Sequence, residues 1–180
     1  MKKLLLISAL TVLLTTAQQT RREEVRSSGA AEDARANSPN VPDVYAIPSQ
    51  FDRVLILRFK YQTDLLAGME KIVKEQHIRN AVILNAIGSV RNYQVHTVSN
   101  RTLPSHDTFT TDPTAPADVI GMSGYVINGV IHAHMPMATP EKAFGGHLEP
   151  GTNVFTFVAV TVGVLADGAD ISRIDDKTYR

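Results

Sequence analysis

Two histidines one residue apart, His132 and His134, are followed by a third, His147, directly behind the pair Gly145-Gly146. A β-strand repeats every two residues, so His132 and His134 turn both imidazoles to one face. Gly145 and Gly146 permit backbone shapes that return His147 towards that strand. Three neutral imidazoles with a fourth position open make a catalytic kind of zinc site, which lowers the pKa of a bound water to about 7. A closed structural site would supply a fourth protein ligand. The bland alternative for His-x-His is a polar solvent face. Gly-Gly-His weighs against it, because a bulky polar residue between glycines and a turn seldom serves packing. The other histidines read as ordinary: His77 near a helix C-terminus, where the dipole favours a cation, His96 on a strand face, and His106 in a loop.

The elements that must position these residues follow from pattern. Asn128-Gly129 between apolar runs specifies a type I′ hairpin turn, which makes 130–135 a strand. A loop with Pro136 and Pro140 then leads to Gly145-Gly146-His147-Leu148 and a Pro150-Gly151 turn, and 153–165 is a long β run. Upstream, 53–59 (RVLILRF) predicts a buried strand. Thr63-Asp64 caps a helix whose one face carries Leu65, Met69, Ile72, Val73 and Gln76. The stretch 81–87 predicts a second buried strand, broken at Gly88-Ser89 and resumed over 94–98. Residues 100–116, with Asn100, Pro104, Pro113 and Pro116, predict a loop with at most a short strand, and 118–122 begins another strand. The order β-α-β, then mainly β, predicts an α/β fold: a mixed, mostly antiparallel sheet with a flanking helix.

The ends of the chain place this domain. Lys2 and Lys3, the apolar run 4–14 and the small residues up to Ala17 read as a signal peptide over 1–17, so the protein is expected to be exported, periplasmic or secreted. That run is too short to span a bilayer, which takes about 20 apolar residues, and no membrane association is expected once the leader is cleaved. Residues 18–50, polar and with Pro39, Pro42 and Pro48, read as a flexible linker; the ordered domain takes 51–180, with a core over 51–165 and a polar C-terminal tail over 166–180. With 43% apolar residues, 6% aromatics and no Trp, the core must rest on Val, Ile, Leu and Ala; with no Cys, no disulfide can assist. Cleavage removes Lys2 and Lys3 and leaves 16 Lys and Arg against 18 Asp and Glu, a net charge of about −2 with neutral histidines. Nucleic-acid binders usually carry a basic excess. The one Arg cluster, Arg21, Arg22 and Arg26, is interrupted by Glu23 and Glu24.

A cupin barrel also uses His-x-His and a later His, but cupins place a Glu soon after the pair, whereas here Glu141 comes late and the β-α-β start fits poorly. The segments ILRF, DLLAGMEKIVKE (64–75), AVILNAIGSVRNYQV (81–95), NGVIHAHM (128–135) and FGGHL (144–148) instead resemble the plants-and-prokaryotes conserved (PPC) domain, over about 51–165. The tail 170–180 resembles an exported branch of it. The resemblance implies a sheet of about seven strands, a homotrimer, and His132, His134 and His147 as ligands of a divalent metal, zinc by preference. Arg58 matches an Arg found at the end of the first strand in relatives, and Thr161 stands where many relatives carry Glu. The family's DNA-binding label derives largely from AT-hooks, and no Arg-Gly-Arg hook is present here.

Three functions remain open on these grounds. The first is a metal-dependent hydrolase- or lyase-like enzyme acting on a small molecule. In it Glu149 is either a proton shuttle or an exposed turn acid, and Arg58 and Ser89 are either groups binding a substrate carboxylate or hydroxyl, or surface and turn residues. The second is a trimeric module that binds a small molecule or a protein partner without catalysis. The third is DNA binding, as the family label says.

Overall fold

One strand of 18 residues, Ala81–Val98, organises the molecule. The computed structural model describes residues 21–27 and 38–175. The elements are β1 (Arg22–Ser27), β2 (Phe51–Phe59), α1 (Leu65–Glu75), β3 (Ala81–Val98), β4 (His106–Asp112), β5 (Ala117–Val119), β6 (Ser123–Ile127), β7 (Val130–Ala138), β8 (Ala143–Leu148) and β9 (Asn153–Leu165), followed by a short 3-10 helix, Ser172–Asp175. Along one edge β3 pairs first with β9 and then with β8. Along the other it pairs with β6, β5 and β4. β7 in turn pairs with β5, β6 and β8. The hydrogen-bonding circuit β3–β8–β7–β6 therefore returns to β3, and β1 and β2 are added outside it, on β4 and β9.

The pattern reading holds for most elements. Asn128 (φ 50°) and Gly129 (φ 82°) both take the positive φ that a type I′ turn needs. The Asp64 side chain accepts from the Ala67 N–H and caps α1, whose Leu65, Met69 and Val73 are buried. Each such apolar side chain contributes about 1.5–3 kcal/mol on burial. They join Ile83, Ala86 and Val90 of β3, Ala133, Met135 and Met137 of β7, and Val154, Val158 and Val160 of β9 in one core.

Several expectations are corrected. The sheet has nine strands where about seven were expected, and every pairing among the described residues is antiparallel, so it is not mixed. Gly88-Ser89 does not break β3; the register shifts there and the strand runs on, because neighbours on both edges hold its backbone. Residues 22–27, assigned to a flexible linker, form β1: their side chains are exposed, and main-chain pairing to β4 orders them. The rest of that segment is also tied down where it is described. Ile47 packs on a small cluster of Ile127, Leu165 and Ile171, and the Tyr45 hydroxyl donates to the Arg173 carbonyl. The polar tail is anchored by the same cluster through buried Ile171. The leader expected over 1–17 lies outside the described residues. No helix among the described residues is long and apolar enough to cross a membrane.

Candidate metal centre

The alternation of β7 decides where its histidines go. Ala133, Met135 and Met137 point into the core, and the alternate positions, including His132 and His134, share the opposite face. Across the hairpin, His132 stands opposite Tyr125 and His134 opposite Ser123. His147 does not reach them from a bend. It lies on β8, directly opposite His134 on one side and His96 of β3 on the other, and β7 itself runs through Pro136. The loop that was expected between them is only the short turn before Ala143. A single transverse row thus crosses six strands: Glu24, Phe109, His96, His147, His134 and Ser123.

The glycines before His147 serve this arrangement by close approach. A Cβ on Gly146 would stand 2.3 Å from the His96 carbonyl oxygen, and one on Gly145 would stand 2.4 Å from that of Met135. Only a strand without side chains at both positions fits between β3 and β7 here.

One ring nitrogen from each of His132, His134 and His147 lies within 4.8 Å of the others. The Nε2 atoms of His132 and His134 are 3.2 Å apart, with the rings nearly parallel at 12°. The His147 ring stands across both, at 76° to His132 and 79° to His134. Burial pushes the His147 imidazole down to about 4, and the neighbouring His96, His132 and His134 add to the shift. Burial also lowers His134, with His132 and His96 adding. Both are therefore neutral at pH 7, and a proton competes for the His147 nitrogen only in distinctly acidic solution.

The sequence reading passed over His96, which belongs to this site. Its ring stacks on His147 at 4.5 Å and on Phe109 at 4.8 Å, and its Nδ1 is 2.5 Å from the Glu149 carboxylate. Arg26 of β1 covers the other side of Phe109, 4.4 Å from the ring centre. Glu149 is accordingly not an exposed turn acid. It is half-buried and holds His96 in place, on the side of His147 away from β7. Arg58 and Ser89 are not brought to the histidines. Arg58 lies over the Phe157 ring on the outer face of β2 and β9. Ser89 is buried and hydrogen-bonded to the Thr156 hydroxyl, beside a separate cavity.

Beside His132 and His134 opens a cavity of about 430 Å³, which Val82, Ile127, Tyr125 and Ile174 also line. Among the described residues that line it there is no carboxylate, Lys or Arg.

The family described as the Plants and Prokaryotes Conserved (PCC) domain matches residues 47–166 of this chain. Among solved structures, the chain is similar to the metal-containing protein of Archaeoglobus fulgidus (TM-score 0.59, 23% identity, 70% of this chain and 89% of that one). It is also similar to a plant- and prokaryote-conserved protein of Pyrococcus horikoshii (TM-score 0.57, 20% identity, 68% and 85%). A third is a protein of Bacteroides thetaiotaomicron described as a candidate DNA-binding protein (TM-score 0.52, 18% identity, 64% and 83%). A curated relative, the bifunctional protein GlmU of Synechococcus sp. (strain JA-3-3Ab), is 24% identical over 125 residues, covering 69% of this chain. The chain spans only 18% of that protein's length.

Proposed function

This chain belongs to the Plants and Prokaryotes Conserved (PCC) domain family, and from that premise we propose that it binds a small molecule through one divalent metal ion held by His132, His134 and His147. The observation that carries this reading is the meeting of three ring nitrogens within 4.8 Å of one another. The donor set fits such an ion. Imidazoles suit zinc and its borderline neighbours. A tetrahedral zinc with Zn–N of about 2.0–2.1 Å sets its ligand nitrogens roughly 3.3 Å apart, and the two Nε2 atoms are separated by 3.2 Å. Burial keeps His134 and His147 in the neutral form that offers a lone pair. The metal-containing relative from Archaeoglobus fulgidus supports the same reading. Zinc is the ion we assign, and when bound it supplies a Lewis acid for a ligand oxygen.

Binding is favoured over turnover because, among the described residues, no carboxylate, Lys or Arg lines the cavity to act as acid or base beside the histidines. Glu149 is engaged with His96. Elemental analysis of the purified full chain tests the reading: about one zinc per chain is expected, against less than roughly a tenth in His132→Ala. Equal metal in both proteins removes it.

We also infer a homotrimer, supported by an apolar outer face. Val54 and Ile56 of β2, Ile87 of β3 and Phe155 and Phe157 of β9 are all exposed, Ile56 at 76%. Monomers rarely leave a contiguous patch of this kind uncovered. Light scattering should return about three chain masses, and a smaller assembly for Ile56→Glu; a wild-type monomer contradicts the inference. DNA binding, as described for the Bacteroides relative, finds less support. Arg21 and Arg26 are already paired with Glu23 and Glu24. A gel shift with steep salt dependence at physiological salt would reverse that judgement.

A further inference from the structure

The cavity beside the imidazoles has polar and apolar lining: His132 and His134 line it from β7, and Val82, two strands away across Tyr125, lines it with Ile127 and Ile174. Ile174 comes from the C-terminal tail. After β9 the chain folds back, Asn80 donates through Nδ2 to the Ala169 carbonyl, and Ile171 is buried against Ile127 and Leu165. This anchor sets the short 3-10 helix so that Ile174 faces the cavity. A second cavity of about 500 Å³ shares Val82, Tyr125 and Ile174 with the first, so the apolar wall continues past Ile174.

We propose that this site takes a small monocarboxylate with an apolar body: the carboxylate at the metal, the hydrocarbon against Val82, Ile127 and Ile174. The proposal rests on the metal reading above. Three neutral imidazoles leave a divalent ion's charge uncompensated, and among the described residues no anionic side chain lines the cavity, so an anionic head is favoured there. A phosphate ester would carry a second charge, and among the described residues no Lys or Arg lines the cavity to meet it. A sugar would bury several hydroxyls, each needing a partner; beyond the histidines, the side chains offering one are Ser123 and Tyr125. The volume of about 430 Å³ falls within the usual size of small-molecule sites, which are mostly apolar with a few placed polar groups.

Isothermal titration calorimetry on the zinc-loaded full chain, with acetate, hexanoate and phenyl phosphate as probes, tests this. Each buried methylene strengthens binding about fourfold, so hexanoate is expected to bind at least roughly tenfold more tightly than acetate. Phenyl phosphate should bind more weakly than hexanoate. In Ile174→Asp, hexanoate should weaken by roughly tenfold or more, and by more than acetate does, while zinc content stays unchanged. Ile174 is 42% exposed on a peripheral turn, so the core tolerates the change, and Ile174→Val should behave as wild type. Hexanoate binding no tighter than acetate, phenyl phosphate binding tighter than hexanoate, or hexanoate binding unaltered in Ile174→Asp would each overturn the proposal with the metal reading intact. Hexanoate binding that survives chelation of the zinc in full would overturn the metal reading and, with it, the placement of the carboxylate.

Discussion

Gly124→Ala is expected to unfold the protein at a much lower urea concentration than wild type, a loss of about 3 kcal/mol or more. Gly124 sits on β6 at φ +145°, a conformation that L side chains rarely adopt, and a Cβ there would stand 2.0 Å from the carbonyl oxygen of His132. The clash is with backbone, so no rotamer change relieves it; β6 must part from β7 at the residue that carries the first histidine. Gly129→Ala provides the control. That glycine also has positive φ, at +82°, but nothing lies within 4 Å of its Cβ position. Its replacement should cost only the conformational strain, about 1–2 kcal/mol. Equal urea midpoints for the two variants would show that the close approach of β6 to β7 does not matter.

Zinc should raise the melting temperature of the metal-free wild type by about 10 °C when the free ion is at about a thousand times its Kd, a stabilisation of about 4 kcal/mol. In His147→Ala the shift should fall to about a third of that or less. Structural zinc sites gain about 10–16 kcal/mol from four ligands, so one imidazole accounts for roughly a hundred- to a thousandfold in affinity. His96→Ala separates ligation from support. His96 offers no ligand atom to the group of three, but its ring packs on His147 and is held by Glu149. Outer partners of metal ligands contribute about ten- to a hundredfold, so at the same zinc concentration this variant should lose about a third of the shift or more. Calorimetric scans with and without zinc measure all three proteins; an undiminished shift in His147→Ala would remove that residue from the site.

The sequence carried the two-histidine face and the hairpin plainly, because period-two alternation and Asn128-Gly129 are local signals. His147 was legible as a partner, though for a reason the structure replaces. The glycines before it do not turn the chain; they let β8 lie close between two strands. His96 was not legible as part of the site, and Glu149 was legible only as a proton shuttle or a turn acid and not as the partner of His96, since what joins them is strand register across distant segments, and no local spacing encodes it. β1 was missed for a related reason. Its six residues, REEVRS, bury no side chain, and its order comes from main-chain pairing with β4. Arg58 and Ser89 were drawn towards the site by chemistry alone, and the sheet places one on an outer face and the other in a buried hydroxyl pair.

The closed strand circuit also sets an order of events for a newly made chain. The β6–β7 hairpin is local and turns on two residues, so on its own it can form within microseconds. Its second strand presents His132 and His134 on one face as a loose, two-toothed clamp. The remaining tooth sits on β8, which is seated only once β3 lies along its far side. An ion arriving early would be held by the hairpin alone and readily released. If the three histidines hold an ion as proposed, firm retention would begin only when the circuit of strands closes, and binding would follow folding of that circuit.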